Sequence, residues 1–175
     1  MLENHLIVLE TSRLILRHLE IADADFILSL LNTKGFLDNI GDRGVRDLLQ
    51  AETYLLDGPL ASYYQNGFGL YLVELRESGE PIGLSGLVKR PLFDSPDLGY
   101  AFLPAFWGKG YAIESAKAVL LHCQTLGLKQ VLGIVSPGNE ASISVLEKVG
   151  MSYKETRIWE EDNSEVLIYE IAIGS

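Results

Sequence analysis

Trp107-Gly108-Lys109-Gly110-Tyr111-Ala112 stands between a short strand-like run, Leu98 to Leu103 closed by Pro104, and a long helical pattern that starts near Gly110. Two glycines and an alanine leave the backbone bare where a helix begins. The first N–H groups of a helix have no intrahelical partner, and the helix dipole is positive at that end. Small residues let a bulky diphosphate come close to the main chain, and Lys109 adds a point charge. The stretch therefore reads as a pocket for the pyrophosphate of a nucleotide-like cofactor, or else as a glycine-rich strand-to-helix turn that holds nothing. Two better-known phosphate motifs fit poorly. A nucleoside-triphosphate loop needs Ser or Thr after Gly-Lys, and Lys109 is followed by Gly110; the dinucleotide fingerprint needs a third glycine where this chain has Ile113.

Working outward, the helix from Gly110 places Ala112, Ala116, Val119, Leu120 and Cys123 on one face and ends at Gly127. Val131 to Val135 reads as a buried strand. Asn139 opens a helix with Ile143, Val145, Leu146 and Val149, and Met151 to Ile158 and Val166 to Ile173 read as a final hairpin. Upstream, Gly69 to Leu75 and Pro81 to Val88 form another hairpin. The first strand is Arg13 to Arg17. Asp23 is placed to cap a helix through Phe26, Ile27, Leu30 and Leu31, Gly35 to Gly41 reads as a loop, and Asp42 precedes a second helical stretch that Gly58-Pro59 interrupts. The expectation is one mixed α/β domain over residues 1–175, with antiparallel hairpins flanking a central strand–helix–strand unit.

Composition narrows the function. A length of 175 residues suits a single core. The formal net charge of −10 argues against nucleic acid, whose binders need a basic footprint, and suits either a cationic partner or simple solubility. No apolar run approaches the roughly 18 residues of a membrane span, and Met1-Leu2-Glu3-Asn4-His5 does not read as a secretory signal. One cysteine, Cys123, excludes an internal disulfide framework and fits a cytoplasmic protein. It falls on the core face of its helix, as an inert thiol would. Three scattered histidines and one cysteine give no metal-ligand spacing.

Taken together, Leu98-Gly99-Tyr100, Pro104, Trp107 to Ala112 and Glu114 resemble the cofactor motif of the GNAT N-acetyltransferases. The chain is most similar to their RimJ/RimL-like branch, which contains the ribosomal-protein alanine N-acetyltransferases. Asn139-Glu140-Ala141-Ser142 followed by Glu147-Lys148-Val149-Gly150-Met151 matches that branch's second signature, with Met151 in place of Phe, and Glu10 to Arg17 matches its usual opening. The loop Asn39 to Gly44 is similar too. The resemblance spans nearly the whole chain, in order and at the right spacing. It implies the acyl-CoA N-acyltransferase fold, a mostly antiparallel sheet of six to seven strands flanked by helices, with a splayed strand pair around acetyl-CoA. It implies that Gly108, Lys109, Gly110, Tyr111 and Ala112 hold the pyrophosphate, that Phe102 and Leu103 pair with the pantetheine arm, and that Asn139 and Ser142 face the arm and the sulfur. Trp107 belongs to the same motif.

The implied reaction is direct transfer of acetyl to a primary amine in a ternary complex, with Phe102 N–H at the oxyanion. Many relatives protonate the leaving thiolate with a Tyr, and the matching residue here is Leu146, which cannot donate. Ser142 is the replacement by position, or it serves helix polarity and the cofactor. Asp97, where the branch often has an acid, is the candidate base or a solvated strand end. Tyr100 either lines the acceptor pocket or packs in the sheet. The acceptor is a protein N-terminus or a small-molecule amine; an acidic pocket of Asp94, Asp97 or Glu160 would favour a polycation. The alternatives are a non-catalytic acyl-CoA-binding or sensor module, supported by Leu146, and a structural domain with no cofactor. By analogy the chain is a monomer or a homodimer.

Overall fold

The computed structural model describes residues 5–174. Among these residues eight strands form one sheet: β1 (Ile7–Glu10), β2 (Leu14–Arg17), β3 (Leu70–Leu75), β4 (Pro81–Val88), β5 (Asp97–Phe102), β6 (Gln130–Val135), β7 (Ser152–Trp159) and β8 (Ser164–Ala172). They lie in the order β1-β2-β3-β4-β5-β6-β8-β7. Every neighbouring pair is antiparallel except β5 and β6, which are joined through the helix α5 (Tyr111–Thr125). Seven of these strands answer the sequence reading. The eighth, β1, is a half-exposed edge strand paired with β2.

Strand alternation feeds two cores. On β3, Tyr71 and Val73 point to the layer containing Ala116, Val119, Leu120 and Cys123 of α5 and Leu146 of α6 (Glu140–Lys148), while Leu72 points to the opposite layer. That opposite layer holds Ile27, Leu30 and Leu31 of α1 (Ala24–Leu31), Phe36 of α2 (Lys34–Asn39), and Ala51 and Leu55 of α3 (Leu48–Leu55). Each fully buried Leu, Ile or Val side chain among them contributes about 1.5–3 kcal/mol.

Local chemistry departs from the expected helix ends at three places. Asp23 sits at the α1 N-cap position but makes no capping bond there. Its carboxylate accepts instead from the Glu20 N–H at 2.8 Å and from Arg17 at 2.8 and 2.9 Å. The second helical stretch starts at Leu48, not beside Asp42, because Asp47 accepts from Gln50 N–H at 2.8 Å; Asp42 is held in its loop by Gly44 N–H and Arg46. Gly58-Pro59 does not break the chain direction. A π turn, Leu56–Leu60, with Pro59 inside it, carries α3 into α4 (Ala61–Asn66).

Candidate active site

The site grows from the divergence of β5 and β6. Leu103 N–H donates to Ile82 O of β4 at 2.9 Å, whereas Leu132 N–H of β6 donates to Pro96 O at 2.9 Å. Successive residues of a strand turn their amides to opposite sides, so the main-chain groups of Tyr100 and Phe102 face the β6 side. Yet β6 pairs with β5 only at Asp97–Leu132. Beyond that point the strands part and leave a free edge. The indole N–H of Trp107 donates to the Phe102 carbonyl at 2.8 Å, so of the Phe102 main-chain groups it is the N–H that is left facing the gap. Leu103 is different: its N–H is bound to Ile82, and its carbonyl accepts from Phe106 N–H at 2.9 Å. The free edge ends at Phe102.

The gap opens into a cleft of about 350 Å³. One wall is the start of α5. Gly108 and Gly110 have φ of +72° and +83°, in the left-handed region that a side chain would strain. Gly110 caps α5 without any side-chain bond, and the first helical bond runs from Glu114 N–H to Gly110 O at 3.0 Å. The N–H groups of Tyr111, Ala112 and Ile113 therefore precede the helical ladder, and all three residues line the cleft. The facing wall is the start of α6, where the Asn139 side chain accepts from Ser142 N–H at 3.2 Å. The third wall is α2 and the residue after it, contributing Gly35, Phe36, Asn39 and Ile40.

Of the residues singled out in the sequence, Phe102, Trp107, Gly108, Gly110, Tyr111, Ala112, Asn139 and Ser142 meet in this cleft. Leu103 and Lys109 are not among its lining. The Lys109 ammonium lies 5.6 Å from the Phe106 ring centre, and its carbonyl accepts from Arg13 at 3.0 Å. Asp97 is also elsewhere. It is 3% exposed and ion-paired with Arg90 at 2.9 Å, and burial pushes its carboxyl up from the ordinary aspartate value while Arg90 opposes the shift. It stands five positions before Phe102, about 16 Å along a strand. Asp94 and Glu160 are exposed and do not line the cleft either.

Two features were not resolved by sequence. Gly35 to Gly41, expected as a loop, is largely α2, because Thr33 accepts from Phe36 N–H and starts the helix. Its signal was the Thr33 cap, masked by a glycine needed for another reason: a Cβ on Gly35 would collide with the Trp107 ring. The second is Tyr100, whose phenol oxygen lies 2.6 Å from Ser142 Oγ, across the gap. Its parity with Phe102 on β5 was the available clue. Cys123 is fully buried, and burial pushes its thiol up to about 11, which suits packing rather than reactivity.

Comparison with known proteins agrees with this geometry. The acetyltransferase (GNAT) domain family matches residues 13–152. The chain is 35% identical over 112 residues to the uncharacterized protein YkkB of Bacillus subtilis (strain 168), covering 59% of this chain and 61% of that one. A crystal structure of an acetyltransferase from Agrobacterium tumefaciens str. C58 superposes with a TM-score of 0.77 at 30% identity, covering 93% of this chain and 92% of that one. RimL, a ribosomal L7/L12 alpha-N-protein acetyltransferase solved with coenzyme A, shares the fold with a TM-score of 0.81 at 19% identity, over 95% and 98% of the two chains. A free strand edge, a bare helix start and a matching family over most of the sequence lead to one statement: the chain belongs to the GNAT acetyltransferase family.

Proposed function

We propose that this protein transfers the acetyl group of acetyl-CoA directly to a primary amine, with no acyl-enzyme. The observation that carries the reading is convergence. The open edge of β5, the uncapped start of α5 and the Ser142 hydroxyl at the start of α6 all face one cleft. Each has a part of the donor to bind: the amides of Gly108 to Ala112 the pyrophosphate, the β5 edge the pantetheine arm, and Asn139 and Ser142 the region of the sulfur. RimL has been captured with coenzyme A, which supports the same choice of donor for this fold.

The chemistry follows from these positions. Phe102 N–H, facing the gap, stabilises the oxygen that becomes negative when the amine attacks the thioester carbon. The new N–C bond forms, the C–S bond breaks, and the sulfur takes up the proton that the nitrogen loses. Ser142 donates a hydrogen bond to that sulfur as charge builds on it. A thiol of pKa about 8.5 leaves without needing a strong acid, so a hydroxyl suffices where other chains use a phenol. Among the described residues the cleft lining contains no carboxylate, imidazole or ammonium group. The acceptor therefore has to arrive neutral. That favours an α-amine, with a pKa of about 8, over a lysine or polyamine nitrogen of about 10.4. A peptide N-terminus or a small α-amino compound is the acceptor this cleft suits.

The test is release of free thiol from acetyl-CoA in the presence of a panel of N-terminal peptides, amino acids and polyamines. Amine-dependent release supports the transferase and ranks the acceptors. No release with a CoA-induced rise in Tm favours the sensor module, to which Leu146 also points. Neither release nor a Tm shift would sink the cofactor assignment.

A further inference from the structure

Tyr100 and Ser142 approach each other across the gap between β5 and α6. The Tyr100 phenol oxygen is 2.6 Å from Ser142 Oγ and 3.3 Å from the Ser142 carbonyl oxygen. Both residues line the cleft. Burial pushes the Tyr100 phenol up from its ordinary value, with the Ser142 bond acting the other way, so the phenol keeps its proton at neutral pH. Of the two hydroxyls the phenol is the more acidic and the better donor. The 2.6 Å separation is that of a strong O–H···O bond, whereas 3.3 Å is long for one. Acidity and the shorter distance favour the phenol hydrogen on Ser142 Oγ, an arrangement that leaves the Ser142 hydrogen to point elsewhere. Ser142 N–H is already fixed by the Asn139 cap, so both its main chain and its side chain are held.

We propose that Tyr100 is a positioning residue: its phenol donates to Ser142 Oγ and thereby turns the Ser142 hydrogen into the cleft, towards the leaving sulfur. This rests on the transferase reading above. Neither residue changes its protonation state in the step; the proton lost by the amine balances the one gained by the sulfur. Without the phenol, a serine in the first turn of a helix can turn its hydrogen back to a main-chain carbonyl three or four residues earlier, and the sulfur loses its donor.

The experiment is a double-mutant cycle with Tyr100→Phe, Ser142→Ala and the pair, using acetyl-CoA and the best acceptor from the amine panel, with CoA thermal shifts on all four proteins. Tyr100→Phe keeps the ring and removes the donor. Its kcat is expected to fall about tenfold, with KM for acetyl-CoA within about twofold of wild type and the CoA-induced Tm shift retained. The double variant is expected to be no slower than Ser142→Ala alone, because Tyr100 acts only through Ser142. An unchanged kcat, a loss that multiplies onto that of Ser142→Ala, or loss of the CoA-induced shift would each overturn the role. A wild-type protein silent with every amine overturns the transferase reading itself, whereas an active wild type with an unaffected Tyr100→Phe variant overturns the role of Tyr100 alone.

Discussion

Leu146, at the position where many relatives carry a tyrosine, is 2% exposed and packed on Gly133 of β6, where even a Cβ would stand 2.9 Å from the leucine methyls. A phenol at 146 would have to displace sheet backbone, so the proposed mechanism gives the donor role to Ser142, which faces the cleft. We expect Ser142→Ala to lower kcat by about 10- to 100-fold with a smaller effect on KM for acetyl-CoA, read by steady-state thiol release. Leu146→Tyr is expected to cost roughly 1–3 kcal/mol of stability through overpacking and to leave the Ser142→Ala defect unrepaired, which denaturant unfolding and the same assay would show. Asp97 is a different case. Asn at that position still accepts from Arg90, and Arg90 is partly exposed and can rehydrate. Asp97→Asn is therefore expected to leave kcat within about threefold of wild type, since its carboxylate lies away from the cleft. A fall of 100-fold at unchanged Tm would instead make Asp97 a base acting through water. Its pH signature has a definite sign. The buried carboxyl titrates higher in the folded state than in the unfolded one, so stability declines as pH rises from the ordinary aspartate value through the raised one, and the Asn variant lacks that decline.

Among the elements, the loop before α5 owes its shape to the far end of the sheet. Arg13, just before β2, donates to the Lys109 carbonyl at 3.0 Å and to Glu114 at 2.7 Å, and its guanidinium lies 4.4 Å from the Tyr111 ring centre. Thr11 donates to the other Glu114 oxygen at 2.6 Å. This clamp holds the glycine turn against β2. Arg13→Ala is expected to raise KM for acetyl-CoA about fivefold with kcat little changed. An exposed ion pair adds at most about 1 kcal/mol, so Tm should move only slightly. Burial pushes Glu114 up, but Thr11 and Arg13 outweigh it and hold the carboxyl below the ordinary glutamate range. The clamp's contribution is therefore present above that ordinary value and is lost as pH falls through the lowered one. The Glu10 to Arg17 opening was legible as a motif, but sequence could not show that it grips a loop almost a hundred residues away. The same limit governs the other elements. Strands β2 to β6 and β8 and helices α5 and α6 were readable because each carries its own run or period of apolar residues, and the mostly exposed β7 was readable as the partner of β8 across a polar turn. Strand β1 is a short, half-exposed edge, and α2 contains a glycine that serves the Trp107 ring, so neither shows that period clearly.

At the scale of the whole molecule, a net charge of −10 invites a cationic acceptor, yet the charge is not where the chemistry is. Asp97 is paired with Arg90, Asp94 and Glu160 are exposed outside the cleft, and the lining is aromatic, aliphatic, amide and hydroxyl. The lining offers no base to take a proton from an ammonium ion, so in the proposed reaction the acceptor's own pKa sets the rate. The kcat/KM for the amine is expected to rise with pH and level off at the pKa of the free acceptor, about 8 for a peptide α-amine. Measured with two acceptors whose amines differ in pKa, the midpoint should move with the acceptor. A midpoint that stays fixed would belong to the protein and would reveal a base that the cleft geometry does not contain. If the midpoint follows the amine, selection for α-amines needs no acidic pocket: at neutral pH the cleft discriminates through the small neutral fraction of any more basic nitrogen, and the acidic surface is left to the solubility of the protein.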